Sequence, residues 1–209
     1  ANLLAAVRTA AAPQSRDRGV LIVMDERILS ARELRKDFPR VGGFASGRIG
    51  LVGRDGPQYL YTPSRPHTRH TEFALPASLE LPNVDLVFSY SGGLGPRYET
   101  PPAGIVVAAT GMTCEETLAM QVFARAGIPV VAAFPTGEAL RAQRPVEETA
   151  PARMLDLCSA LAGDPRWEGP WIPPLVAQFL TPQKARILLM LALTRTTDRD
   201  ELEAIFRRY

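Results

Sequence analysis

Arg18 to Lys36 reads RGVLIVMDERILSARELRK, and this stretch decides the fold class. Val20 to Met24 is a short apolar run with Gly19 in front and charge behind. Such a run is the pattern of a strand buried on both faces, as in parallel sheets. Asp25 and Glu26 stop it, Ile28 and Leu29 keep some apolar character, and Ser30 to Lys36 is mostly polar. A strand that leaves a sheet and sets charged groups beside its carboxyl end is how open α/β folds build sites. Lys36 closes the stretch, and on chemistry alone it reads as a solvated lysine, as most lysines are.

Upstream, Asn2 to Ala12 is apolar and alanine-rich, with Arg8 inside it and no basic leader before it. Alanine favours helix, and Leu3, Leu4, Val7 and Ala11 share one face. Pro13 ends the helix. Downstream, Arg48 to Val52 and Gln58 to Tyr61 alternate as two strands, and the Arg54-Asp55-Gly56 turn between them predicts a hairpin. Pro63 to Pro82 is proline-rich and aperiodic, which predicts an inter-domain linker.

A second α/β unit follows. Val84 to Tyr90 and Ile105 to Ala109 predict strands, Glu115 to Ala126 an amphipathic helix, and Pro129 to Phe134 a third strand. Strand, helix and strand at this spacing make a βαβ unit with a parallel sheet. Tyr90 to Gly104 is too rich in glycine and proline for the expected crossover helix, so either it is an extended loop or some residues are missing from the chain at this point. Ala150 to Leu161 predicts a helix with Met154, Leu157, Cys158 and Leu161 on one side. The proline-rich loop to Pro174, with Trp167 and Trp171, caps a pocket or an oligomer interface, or packs on the domain's own core. Thr181 and Pro182 start a helix to about Leu193, and Asp198 caps a last one with Leu202, Ile205 and Phe206 inward. Lys184 and Arg186 are expected on the solvated face of the helix that starts at Pro182.

The chain has 209 residues, 46% of them hydrophobic, enough for one or two domains with a buried core. Lys and Arg number 24 and Asp and Glu 22, so a net charge of +2 argues against a large polyanionic partner. The arginines are scattered, and no basic cluster interleaves with aromatics, which excludes the nucleic-acid-binding pattern. No run reaches the ~18 apolar residues of a membrane helix. No phosphate-loop glycine pattern lies between a strand and a helix, and no serine sits in a G-x-S-x-G setting. His67 and His70 lack a third ligand cluster, so no metal site is expected. Cys114 and Cys158 form one disulfide or none, because spacing cannot decide. A helix N-terminus lowers a thiol's pKa, so Cys114 is also a conceivable nucleophile, although no histidine is placed to assist it.

Three blocks carry a resemblance. Arg18, Gly19, Val20, Leu21, Val23, Met24, Arg32 and Lys36 fall on R-G-V-L-x-V-M-N-D-x-x-x-x-x-R-x-x-x-K, with Asp25 and Glu26 in place of N-D. Thr62 to Thr68 is similar to T-P-x-R-x-H-T, and Leu180 to Thr196 to L-N-P-Q-K-A-R-x-L-L-x-L-A-L-T-x-T. These are patterns of the bacterial L-asparaginase (asparaginase/glutaminase) family, in this order. The resemblance implies that residues 1–62 are the end of a larger open-sheet α/β domain, 63–83 a linker, and 84–209 a smaller α/β domain with a mainly parallel sheet. It also implies that roughly the first two-fifths of a typical member has no counterpart here. The family's T-G-G-T and G-T-D-T motifs, which hold its catalytic threonines, do not occur in these residues.

The activity implied is hydrolysis of a side-chain amide, L-asparagine to L-aspartate and ammonia, without metal or cofactor. Lys36 stands where the family's lysine activates the threonine. The resemblance places Cys114 at the last asparagine of G-N-G-N, a substrate contact in the neighbouring subunit's site. Glu168 is the nearest candidate for a second, glutamate contact. A thiol donates and accepts weakly beside an amide, so a looser grip on asparagine is expected. The family also implies intimate dimers pairing into tetramers, with sites between subunits; a separate N-terminal part is a further candidate partner. Cytoplasm and periplasm both stay open. A non-catalytic relative that binds an amino acid or a protein is the alternative.

Overall fold

A computed structural model describes residues 1–36, 43–45, 47–74, 78, 80–137, 158 and 163–209. The chain divides into two compact units, Ala1 to Ala74 with Tyr209, and Leu75 to Arg208. Both mix helix and sheet, so the fold is α/β, with an antiparallel sheet in the first unit and a separate parallel sheet in the second.

In the first unit α1 (Asn2–Ala11) precedes β1 (Leu21–Met24), β2 (Arg27–Ser30), β3 (Arg35–Lys36), β4 (Phe44–Ala45), β5 (Arg48–Gly53) and β6 (Gly56–Tyr59). A four-stranded sheet runs β1-β2-β5-β6, all antiparallel, and β3 pairs with β4. The apolar run is therefore not a parallel strand buried on both faces. Asp25 and Glu26 take φ of 50° and 59°, the two left-handed residues of a tight hairpin turn. Met24 thereby pairs with Arg27, and every residue of β1 is only half-buried. The predicted β5–β6 hairpin is present, with Gly53 opposite Gly56.

Helix α1 spans the expected residues but turns a different face inward. Thr9 is buried, whereas Leu3, Leu4 and Val7 are exposed. Ala5 packs on the core of Ile28, Ile49 and Val52, beside Leu21, Val23 and Tyr59. Small side chains let helix and sheet approach closely, and the Thr9 hydroxyl donates to Ala5 O at 2.8 Å, so its burial leaves no unmet donor.

The second unit contains β7 (Val84–Phe88), β8 (Gly104–Ala108), α2 (Cys114–Arg125), β9 (Val130–Ala133), β10 (Leu175–Val176), α3 (Pro182–Ala192) and α4 (Arg199–Arg208). Its sheet runs β10-β9-β8-β7 and every pair is parallel. β8 is buried throughout, as a central parallel strand should be. Alternation splits it between two helices. Ile105 and Val107 join Met120 and Phe123 on the α2 side. On the other side Gly104 makes room for α3, since a Cβ there would lie 2.8 Å from Leu189 Cδ2. The β7–β8 connection is extended, and Tyr98 anchors it. Its ring meets Phe123 edge-on at 5.4 Å, and its hydroxyl donates to Asp85 Oδ2 at 2.5 Å. Burial, with Asp85 beside it, pushes the Tyr98 phenol well above the usual range. The terminal helices form over the expected residues, although Thr181 sits at the N-cap of α3 without a side-chain capping bond; Asp198 Oδ1 accepts from Glu201 N at 3.0 Å, and Leu202, Ile205 and Phe206 are buried. Of the Ala150–Leu161 helix, all but Cys158 lies outside the described residues; Cys158 is buried.

Gly50 supplies a test of the first sheet. A Cβ there would lie 2.5 Å from the backbone oxygen of Gln58 on the paired strand. Gly50→Ala should cost about 1–3 kcal/mol, the range for overpacking. Urea unfolding followed by circular dichroism measures it, and an unchanged midpoint would show that β5 and β6 are not paired in this register.

Candidate active-site elements

The first two sequence blocks meet in the first unit. Arg18 stacks its guanidinium 3.9 Å from the Tyr59 ring centre. It donates from Nη1 to Tyr61 O at 2.8 Å and Thr62 Oγ1 at 2.9 Å, and from Nε to Gln14 O at 2.7 Å. Gly19, at φ 76°, faces His67, whose Cγ would lie 3.3 Å from an added Cβ. So RG of the first motif and T-P-S-R-P-H-T form one surface. Asp17 adds an ion pair to Arg69 at 2.5 Å and lies 3.6 Å from His70 Nε2. The His67 and His70 rings meet edge-on at 5.9 Å. Among the described residues no three His, Cys, Asp or Glu side chains gather as metal ligands.

Lys36 is the exposed last residue of β3, paired with Phe44. Its Nζ lies 4.3 Å from the centre of the Phe44 ring, a cation–π contact that orients the side chain. Arg32 behaves differently from a free surface charge. Burial lowers its pKa, opposed by Glu33, whose Oε1 accepts from Nη1 at 3.1 Å. Glu33 also takes a short hydrogen bond from the Ser30 hydroxyl. The residues between Ser30 and Lys36 are thus fixed by their own polar side chains.

In the second unit Cys114 is the first residue of α2 and is joined to Cys158 in a disulfide. This corrects the thiol readings: a disulfide sulfur has no S–H to donate and no thiolate to attack with. Glu168 is exposed and follows a single 3-10 turn, Pro165 to Trp167. The loop that carries it is tied to α2. Arg166 donates to Glu115 Oε2 at 2.8 Å and to Asp164 Oδ2 at 2.6 Å. Hydrogen bonds to these carboxylates, Asp164 first, push the Arg166 pKa up. Arg125 donates to Pro170 O at 3.0 Å and Arg166 O at 2.6 Å. Buried Gln121 pairs with the Ile172 backbone through both its amide atoms, at 2.8 and 2.9 Å. Arg186 is not simply a solvated helix charge, because its Nε donates to Val84 O at 2.6 Å.

Sequence reasoning missed Glu116, which is 3% exposed at the carboxyl ends of β7 and β8. Its Oε2 accepts from Ser89 Oγ at 2.6 Å and from Thr113 N at 2.9 Å. The signal was available: Thr113-x-x-Glu116 is the capping-box pattern before an apolar run.

Residues 1–63 match the family described as asparaginase, N-terminal. Along its whole length the chain is 33% identical to L-asparaginase 2 of Escherichia coli, covering 57% of that protein. It is 29% identical to L-asparaginase 2 of Bacillus subtilis, covering 52%, and 27% identical to the glutaminase-asparaginase of Pseudomonas fluorescens, covering 55%. The chain is similar to these bacterial enzymes along its whole length. It spans a little over half the length of these relatives. Among the described residues no helix is long and apolar enough to cross a membrane.

The disulfide gives the test that belongs to this site. Cysteine titration of the denatured, unreduced protein should find no thiol. Reduction should lower unfolding stability by about 2–4 kcal/mol, since the bridge closes a long loop. Two titratable thiols in protein purified without reductant would return Cys114 to the role of a free thiol.

Proposed function

We propose that the complete protein is an asparaginase-like amidohydrolase that releases ammonia from a side-chain amide, with L-asparagine as first candidate substrate. The observation that carries this is the Arg18–Lys36 block, kept at family spacing in a chain that resembles named asparaginases along its whole length. Amide hydrolysis needs a nucleophile, a group that takes its proton, and donors for the oxyanion. In this reading a threonine hydroxyl outside these residues attacks the amide carbon. Lys36 takes the hydroxyl proton and that proton is passed to the amide nitrogen, so ammonia leaves as the C–N bond breaks; water then cleaves the threonine ester, releasing the acid and restoring the hydroxyl. Arg18, Gly19, Thr62 and His67 form a second family-pattern surface in the same unit, held by the Arg18 hydrogen bonds. We further propose that Glu168 contacts substrate and that copies of the chain assemble as dimers or tetramers with sites between subunits.

Lys36→Met in the complete protein should lower the rate of ammonia release by about 10²–10⁴, the worth of a general base. Circular dichroism should be unchanged, because the side chain is exposed. Activity within about twofold of the parent would assign Lys36 to the solvated surface. A parent protein that binds asparagine in calorimetry but releases no ammonia would instead be the non-catalytic relative.

A further inference from the structure

Two connections leave the carboxyl ends of neighbouring parallel strands in the second unit. Ser89 to Gly95 follows β7, and Ala109 to Thr113 follows β8. Open α/β sheets bind ligands outside these strand ends. Tyr90, Leu94, Thr110 and Gly111 are exposed there, while the group behind them is buried.

That group is Glu116. A capping box needs only Thr113 and Glu116, and both of its bonds are present: Glu116 N to Thr113 Oγ1 at 3.1 Å, and Thr113 N to Glu116 Oε2 at 2.9 Å. The remaining bonds come from the other connection and do nothing for the helix end. Ser89 Oγ lies 2.6 Å from Glu116 Oε2 and 2.9 Å from Gly111 O, so its one proton ties the β7 connection either to Glu116 or to the β8 connection. Tyr90 N lies 3.4 Å from Glu116 Oε1. Thr113 Oγ1 donates to Gly93 O at 2.6 Å. Gly93 is required by this closeness, since a Cβ there would stand 2.0 Å from Glu116 Oε1. Gly95 shows the same constraint against Ala119 at 2.5 Å. A buried carboxylate must be compensated by donors, and here the donors are drawn from both loops.

We propose that Glu116 is a positioning residue that locks the Tyr90–Gly95 and Ala109–Thr113 connections into one substrate-facing edge. This rests on the amidohydrolase reading above. Glu116 itself touches no substrate; it sets the exposed backbone of Thr110 and Gly111 beside Tyr90. Losing it moves the edge and weakens substrate binding.

The test is steady-state kinetics with asparagine on the complete protein, with thermal unfolding of each variant in parallel. Glu116→Gln removes the charge that gathers these donors, and Ser89→Ala cuts the link between loops while leaving the capping box intact. Both should raise KM about ten- to a hundredfold, as a displaced positioning group does, with kcat within about threefold. Thr113→Ser keeps every bond and should retain the parent KM. Parent KM in Ser89→Ala and in folded Glu116→Gln, even with lowered unfolding temperatures, would leave Glu116 a helix cap and overturn the proposal. If Glu116→Gln does not fold, the Ser89→Ala KM decides. A parent that binds asparagine without hydrolysing it defeats the amidohydrolase reading alone, and the same shift is then sought in Kd. A parent that neither binds nor hydrolyses asparagine defeats both.

Discussion

The reversal at Asp25 and Glu26 is the constraint on which the first unit depends. Two consecutive non-glycine residues in the left-handed region cost about 1–2 kcal/mol each. The hairpin they close offsets this by pairing all four residues of β1 with β2. Their twist suits that of antiparallel strands, which ordinary turns would splay. Asn2 Oδ1 accepts from Asp25 N at 3.0 Å, so the helix that covers the sheet also holds its turn. Once β2 is laid down, Ile28 and Leu29 enter the core, Ser30 N bonds Gly47 O at 2.6 Å, and β5 joins the far side of β2. Lys36 takes its place on a two-residue ladder that follows from this path.

This turn also explains why the quoted stretch was legible as motif and misleading as strand. LIVM has no alternation, and continuous apolar runs belong to strands covered on both faces. Among the described residues α1 covers one face and every residue of β1 stays half-buried, which the run's length does not encode. An acidic pair reads as a stop, whereas Asp25-Glu26 is a reversal. Helix α1 misled in a related way. Leucine and valine outweigh alanine on any hydrophobic scale, yet Ala5 and Thr9 face the sheet, because closeness of approach decided the contact. By contrast, β8, α2, β9 and the two terminal helices lay close to their expected bounds, since buried parallel strands and capped helices declare both ends.

Some of the contacts around the candidate residues were legible in the sequence and others were not. The spacing from Arg18 to Lys36 and the T-P-S-R-P-H-T block located residues that Arg18 and Gly19 bring together in space. Nothing in the sequence said that Lys36 would lie over Phe44, because the pairing of β3 with β4 is a contact between two-residue strands with no periodicity to read. Cysteine spacing left the Cys114–Cys158 bridge open, and only the 5.6 Å separation of the two Cα atoms decides it.

Helix α2 shows most plainly how a polar face can be misread. Cys114, Gln121 and Arg125 lie at i, i+7 and i+11, on one stripe that a helical pattern assigns to solvent. Instead the stripe holds chain. Cys114 binds Cys158 covalently, Gln121 takes both backbone groups of Ile172, and Arg125 takes the carbonyls of Arg166 and Pro170. The segment from Gly163 to Pro174 is rich in glycine and proline, and its Trp167, Trp171 and Ile172 are only half-buried, so polar contacts share in positioning it. Its free backbone groups need partners once covered, and polar side chains supply them. A helix in this position therefore needs a polar outer face for the same reason that its inner face needs Leu118 and Met120. Glu168 rides on the loop held in this way, so the geometry of that candidate contact is set by α2 rather than by its own neighbours in sequence.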